Sequence, residues 1–196
     1  MIKKFAAAFA ALALTAGAQA ANVVFSADFT PSSSQGLVSP SSFNTASFAA
    51  VAGTEGTITF DILGYNSLDG QNTYEDDFTL TLNGTTTIVK GSWDLGGGGA
   101  SGFLGTFNGA SYTRIGGHEI EVTAPFTLAA SNVLTFGYVS IAAANQSTSG
   151  QGLGDEGWGI GKVTVSAVPE PASLALMLAG LGIVGGLARR RAARQA

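Results

Sequence analysis

The sequence contains no cysteine and only one histidine, His118. The lack of cysteine excludes disulfide bonds, thiolate metal sites and cysteine nucleophiles. A single histidine also excludes a metal centre built on several imidazoles. The folded chain must therefore be held together by its apolar core and not by covalent cross-links.

Charged residues are scarce, at 11% of the chain, and they are unevenly distributed. Residues 21–167 hold twelve of the thirteen acidic residues but only three basic ones, which gives this body a formal charge of −9. The other six basic residues lie at the two ends of the chain. Because an acidic body repels phosphate backbones, nucleic acid is excluded as a partner.

The N-terminal segment has the three parts of an export signal in the usual order. Two lysines lie within Met1–Lys4, an apolar stretch follows over Phe5–Ala16, and small residues occupy the positions that signal peptidase reads, Ala18 and Ala20. We expect residues 1–20 to be a signal peptide with a short apolar helix, cleaved after Ala20.

The C-terminal segment, residues 168–196, combines a proline-bounded motif, an apolar run and a cluster of arginines. The motif is Pro169, Glu170 and Pro171, and the run of 172–188 has seventeen residues without a charge. At about 1.5 Å per residue this run spans about 25 Å, the short end of what a bilayer requires, so we predict one transmembrane helix. The arginines that follow, Arg189, Arg190 and Arg191, place the C-terminus in the cytoplasm and the body outside.

This tripartite tail resembles the PEP-CTERM sorting domain of Gram-negative bacteria that make extracellular polysaccharide. The resemblance implies an exported protein that is an exosortase substrate. Before processing, the chain would be held in the inner membrane by its C-terminal helix, and it would finally reach the cell surface or extracellular matrix. An uncleaved single-span anchor is the competing interpretation of the same tail.

The body, residues 21–167, alternates apolar and polar residues with the period of a β-strand. Thr57–Ile62 and Asp77–Leu82 show this most clearly, and Asn83-Gly84 predicts a hairpin between the second of these and Thr85–Val89. Further strands are predicted in these segments: 22–29, 46–51, 118–123, 133–141 and 160–168. The glycine-rich residues 91–117 are predicted to be a long loop, with room for a short strand near 103–107. This pattern predicts an all-β antiparallel sandwich or jelly roll.

Four segments of the body resemble a recurring exported domain that precedes PEP-CTERM tails: Gly64–Asp69, Tyr74–Gly84, Leu95–Gly99 and Gly154–Gly159. The final segment Gly157–Val165 is similar to the last strand of jelly-roll carbohydrate-binding domains. Relatives often carry Asp-Asn or Asp-Asp where this chain has Gly161-Lys162. The resemblance implies the fold, and this departure argues against transferring a ligand role to those two positions.

Two groups of acidic residues are candidates for binding a metal ion. The first group is Asp69, Glu75, Asp76 and Asp77, and the second is Asp155 with Glu156. Calcium takes six to eight oxygen ligands, and extracellular modules often bind it weakly. Calcium is thus the one cofactor that the sequence suggests, while a solvated acidic loop and a structural turn remain the alternatives.

Three aromatic residues are candidates for binding a glycan by stacking on its sugar rings: Trp93, Tyr112 and Trp158. Tryptophan is also a frequent core residue of β-sandwiches, where its large area is buried, and for Trp158 this is the favoured interpretation. His118 is in phase with Ile120 and Val122 on a predicted strand, so we expect it to be packed or hydrogen-bonded. No catalytic residue is predicted, because the sequence shows no nucleophile motif beside a base.

Three functions follow as hypotheses. The first is a non-enzymatic surface or matrix protein whose sandwich binds exopolysaccharide. The second is a calcium-stabilised module for adhesion or self-assembly. The third, an extracellular hydrolase, rests only on the predicted location and on acidic residues that any such chain contains.

Overall fold

A computed structural model describes residues 21–30, 35–36, 41–45, 47–140, 156–168 and 180–185. The predicted signal peptide with Ala18 and Ala20, the motif at 169–171 and the arginines at 189–191 lie outside these ranges. Ala21–Val168 forms one compact unit. Helical residues 180–185 are described separately, and no helix among the described residues is long and apolar enough to cross a membrane. The transmembrane helix over 172–188 therefore stays a prediction.

The described part of the unit is built from β-strands, and every strand pair is antiparallel. The strands are β1 (Asn22–Asp28), β2 (Gln35–Gly36), β3 (Ser41–Asn44), β4 (Phe48–Ala49), β5 (Glu55–Gly64), β6 (Asp76–Leu82), β7 (Thr86–Ser92), β8 (Gly102–Phe103), β9 (Ser111–Gly116), β10 (Glu119–Thr127), β11 (Ser131–Asn132), β12 (Leu134–Ser140) and β13 (Gly157–Ala167). The prediction of an all-β, antiparallel fold is confirmed.

The strands form two large sheets and one small one. The first sheet has the order β1-β13-β5-β10-β9, with β2 also paired to β13. The second sheet has the order β3-β12-β6-β7-β8, and β4 pairs with β11. Neighbours in each sheet are mostly distant in sequence, so long-range pairing dominates the fold.

The apolar core lies between the inward faces of the two large sheets. Strand β5 shows why: Ile58, Phe60 and Ile62 are completely buried, whereas the residues between them face outward. The ring of Phe60 lies 5.6 Å from that of Phe78 on β6 and 5.4 Å from that of Phe136 on β12. Burying each such side chain contributes about 1.5–3 kcal/mol. Because the three rings come from both sheets, their contacts hold the two sheets together.

The predicted hairpin between β6 and β7 is present. Asn83 and Gly84 both have positive φ, at 52° and 69°, which is the geometry of the tight turn that suits the twist of paired strands. The side chain of Asn83 also bonds across to the segment before β12: its Oδ1 accepts from the amide of Val133 at 2.8 Å.

The prediction of one long loop over 91–117 is wrong in its second half. Strand β9 lies there and pairs with β10 at the edge of the first sheet. All its residues are exposed, so it has no apolar alternation for a sequence pattern to reveal. The prediction failed because an edge strand that buries neither face carries little periodic signal.

Candidate functional site

Asp69 lies in the connection between β5 and β6 and is almost completely buried. Its backbone is fixed by a bridge to Gly98, and the amide of Gly70 donates to the Gly98 carbonyl at 2.7 Å. Its Oδ1 accepts from Nδ2 of Asn72 at 3.0 Å. A Cβ atom on Gly97 would lie 2.9 Å from Cγ of Asp69, so only glycine lets the chain pass this close to the carboxylate.

Asp76 is the first residue of β6, and its side chain faces the interior. It lies in phase with the core residues Phe78 and Leu80 and is 0% exposed. Its Oδ2 accepts a hydrogen bond from the Asp69 amide at 2.8 Å. In return, the Asp76 amide donates to the Asp69 carbonyl at 3.1 Å, so the two acids are locked together.

Glu156 precedes β13 and is brought to the same place from the other end of the sequence. It is 4% exposed, and its backbone forms a parallel bridge with Ser67. One carboxylate oxygen from each of Asp69, Asp76 and Glu156 can be chosen so that all three lie within 4.8 Å of one another. We call these three residues the acid cluster.

The surroundings of Asp76 raise its pKa. Burial, and then the charges of Asp69 and Asp77, raise the pKa of Asp76 from 3.8 to about 6, although the Asp69 amide and the Ser140 hydroxyl work in the opposite direction. The cause is physical: burial disfavours the charged form, and neighbouring carboxylates disfavour it further. A cation placed among the three carboxylates would remove both penalties.

The two acidic groups predicted from the sequence converge in part. Asp69 and Asp76 come from the first group and Glu156 from the second, whereas Asp155 lies outside the described residues. Asp77 faces the opposite side of β6, where its Oδ2 lies 2.7 Å from Nζ of Lys90. Glu75 is not part of the acid cluster either; its pKa is raised by burial and by the nearby Asp77. Asp77 is therefore paired with Lys90 and is not part of the acid cluster.

Two hydroxyl groups beside the acid cluster were missed by sequence reasoning. Ser140 on β12 pairs directly with Asp76, and Tyr138 pairs with Phe78, so both share the inward face. Burial and the charges of Asp76 and Asp77 raise the pKa of Tyr138 well above its ordinary value, so its hydroxyl keeps its proton. Their phase with the apolar residues of the strand predicted over 133–141 is the signal that would have found them.

The glycine run 96–99 forms a tight loop that is held by hydrogen bonds to the Asp94 side chain. Oδ1 of Asp94 accepts from the amides of Gly96 at 3.0 Å and Gly98 at 2.9 Å. Gly96, Gly98 and Gly99 have φ values of 104°, 113° and 96°, which side chains other than glycine rarely adopt. Two residues of the run lie against Asp69: Gly98 forms a backbone bridge with it, and Gly97 passes beside its carboxylate.

Trp93 and Trp158, two of the candidates for stacking on sugars, are completely buried, so the structure supports the alternative that they are core residues. The Trp93 ring packs edge-on against Phe103 at 5.7 Å and against Tyr112 at 5.8 Å, and Trp158 lies 5.2 Å from Tyr138. A ring enclosed in the core has no free face for a ligand. Tyr112 is 36% exposed, and its hydroxyl donates to the Ser101 carbonyl at 3.1 Å.

His118 has a structural contact that matches the sequence expectation. Its Nδ1 lies 2.8 Å from the Leu95 carbonyl oxygen, which can only accept, so the proton is on Nδ1. The contact ties the turn before β10 to the glycine run.

Comparison with known proteins identifies the C-terminal segment. Residues 167–192 match the family model of the PEP-CTERM protein-sorting motif. This motif is a signature of proteins that are exported and sorted to the cell surface by an exosortase, and the chain is consistent with being such a substrate. Searches of the curated proteins and of the solved structures found no match to the chain.

Proposed function

We propose that this protein is a non-catalytic surface or matrix module whose β-sandwich binds neutral exopolysaccharide. The PEP-CTERM motif supports display outside the cell, which is where an exopolysaccharide ligand would be available. The observation that carries the binding proposal is a row of hydroxyl side chains across the outer face of the first sheet.

The strand order supports a jelly-roll form of the sandwich. Eight main strands make up most of the two large sheets, in the chain order β1, β3, β5, β6, β7, β10, β12 and β13. If they are counted from first to eighth, the first pairs with the eighth and the third pairs with the sixth in one sheet. The second pairs with the seventh and the fourth with the fifth in the other sheet. These pairings are those of one long hairpin wrapped around a core, the connectivity of the jelly roll that carbohydrate-binding domains often adopt.

The hydroxyl row contains one residue from each of five adjacent strands, in register. Its members are Ser26, Thr164, Thr59, Thr123 and Ser111. Strands lie about 4.8 Å apart, so the row covers roughly 19 Å, the length of several sugar units. The hydroxyls of Thr59 and Thr123 are 3.1 Å apart. Each hydroxyl offers one donor and two acceptor positions, so the row keeps capacity to bond sugar hydroxyls.

The negative charge of the body favours neutral polymers over acidic ones. With a formal charge of −9 over residues 21–167, the domain repels uronic acid polymers and sulfated polymers at ordinary salt. Neutral polysaccharides carry no such penalty, and hydrogen bonds to their hydroxyls match the chemistry of the row.

Co-sedimentation of the exported protein with insoluble neutral glucans and mannans, and with alginate as the acidic comparison, tests binding. The double variant Thr59→Val/Thr164→Val keeps side-chain shape and removes two hydroxyls of the row. Loss of two hydrogen bonds weakens binding roughly tenfold. The matched control, Thr81→Val/Thr135→Val, alters the outer face of the second sheet and should bind normally. Equal binding by the row variant and the unaltered protein, or no retention by any neutral polymer, would refute the proposal.

Mass spectrometry of both termini of the native exported protein tests the sorting steps. We expect a new N-terminus at Ala21 and a C-terminus that lacks the 172–188 segment. A protein that retains Ala196 on the cell surface would instead be held by an uncleaved anchor.

A further inference from the structure

We propose that Asp69, Asp76 and Glu156 bind one calcium ion, with the hydroxyls of Tyr138 and Ser140 lying beside it. The site goes beyond the proposed polysaccharide binding, because it lies in the interior, whereas the hydroxyl row lies on the outer face of the first sheet. Neither function requires the other.

The spacing of the acid cluster suits a calcium ion. Calcium–oxygen bonds measure about 2.3–2.6 Å, so two oxygens on opposite sides of the ion lie roughly 5 Å apart. The three carboxylates offer oxygens that all lie within 4.8 Å of one another. Their second oxygens, together with water, allow the six to eight contacts that calcium takes.

A second observation, independent of the acids, also points to a ligand. Tyr138 is only 2% exposed, and its hydroxyl has no hydrogen-bond partner among the described residues. Its ring is held between Phe78 at 5.6 Å and Trp158 at 5.2 Å, and the charge of Asp76 acts on the hydroxyl. The Ser140 hydroxyl lies close enough to Asp76 to affect its pKa, but it makes no hydrogen bond of ordinary geometry within the described chain. Unmet buried hydroxyls are costly, and an ion with its bound water would satisfy them.

The charges around the acid cluster favour a cation. Among the described residues, neither Asp69 nor Asp76 has a lysine or arginine within ion-pair distance. Lys90, the cation on the neighbouring strand, is bound to Asp77 on the outer face. Oδ1 of Asp76 is buried and accepts no hydrogen bond from a described residue. Buried carboxylates gathered in this way are normally paired with a cation or coordinate a metal.

The oxygen atoms that line the site favour calcium over other metal ions. All the groups at the site are oxygens, which suit hard cations, whereas zinc and copper favour imidazole and thiolate. Magnesium demands a tight octahedron at about 2.0–2.1 Å and keeps most of its water. Three carboxylates on separate segments are better matched to the larger, more adaptable calcium ion.

An ion here would join parts of the chain that are far apart in sequence. Asp76 begins β6 in the second sheet, and Glu156 leads into β13 in the first. Asp69 adds the connection that precedes β6. Extracellular modules bind calcium with dissociation constants of about 0.1–1 mM, so a site of this class fills where free calcium reaches the millimolar range. Calcium would thus stabilise the domain after export.

Thermal unfolding of the exported protein in EDTA, in CaCl₂ and in MgCl₂ tests the site. At calcium a hundredfold above its dissociation constant, the melting temperature should rise by roughly 5–10 °C. Asp76→Asn should abolish this rise, whereas the control Glu121→Gln, an exposed acid on the outer face of β10, should keep it. No rise in the unaltered protein, or an equal rise in Asp76→Asn, would overturn the proposal.

Terbium luminescence gives a second readout that does not depend on stability. Terbium substitutes for calcium, and energy transfer from Trp158 should make its emission strong when it occupies the acid cluster. Calcium should displace the signal, and Glu156→Gln should weaken terbium binding at least tenfold. Emission that is unaffected by either treatment would place the metal elsewhere and would also refute the assignment.

Discussion

Replacing Asp76 by asparagine should stabilise the calcium-free domain at neutral pH. The substitution keeps the shape of the side chain and removes its charge. The asparagine Oδ1 can still accept the hydrogen bond that the Asp69 amide gives to Asp76 at 2.8 Å. The change therefore isolates the cost of holding a negative charge in the acid cluster.

The size of this effect follows from the pKa. Burial and neighbouring acids raise the pKa of Asp76 from 3.8 to about 6. The difference between 3.8 and about 6 corresponds to about 3 kcal/mol between the two protonation states. Because the pKa is raised in the folded state, the folded protein binds more protons than the unfolded one between these pH values. Stability from this group is complete below about pH 4 and is lost as the pH rises through 6.

Urea unfolding in EDTA at pH 7.5 and at pH 4 measures the prediction. At pH 7.5 Asp76→Asn should be more stable than the unaltered protein by up to about 3 kcal/mol, and at pH 4 the two should be nearly equal. Saturating calcium should reverse the order at pH 7.5, since only the carboxylate binds the ion. An asparagine variant that is less stable in EDTA at pH 7.5 would show that the ionised Asp76 carries no net cost, and the reasoning would fail.

Two further substitutions test the packing and the ion pair. Gly91→Ala should destabilise the domain by about 1–3 kcal/mol in urea unfolding, because the new Cβ would overlap the buried ring of Trp93, whereas Gly116→Ala meets no atom within 4 Å and should be nearly neutral. Lys90→Met should cost about 1–3 kcal/mol, because Asp77 is 2% exposed and would lose its cation. If Asp77→Asn in the Lys90→Met background restores none of that stability, the ion pair is not the cause.

The alternating strands could be predicted from the sequence because each buries one face. The pattern of Thr57–Ile62 appears in the structure as the buried and outward residues of β5, and Asn83-Gly84 forms the expected turn. Strand β9 could not be predicted, since its residues are exposed and its pairing is supplied by β10. The burial of Trp93 also depends on partners, Phe103 and Tyr112, that no local pattern indicates.

The members of the acid cluster could be named from the sequence, but their meeting at one place could not be predicted. Asp76 and Glu156 are 80 positions apart, and their meeting depends on how the two sheets close on each other. The strand period does separate Asp76 from Asp77, because Phe78 is buried and every second residue shares its side. Applied strictly along β6, the alternation alone assigns Asp76 to the inner face and Asp77 to the outer one.

The pairing of the first strand of the domain with its last determines how it bears mechanical load. Asn22 on β1 lies opposite Ala167 on β13, and β13 is flanked on its other side by β5. Tension between Asn22 and Ala167 opens antiparallel hydrogen bonds one after another, which requires little force. Tension between Ala167 and a binding partner attached to β5 instead shears β13 along β5, so that many inter-strand hydrogen bonds are loaded at the same time. A segment that follows β13 would thus transmit a large force only when the opposing force acts on the neighbouring strand β5 and not on β1.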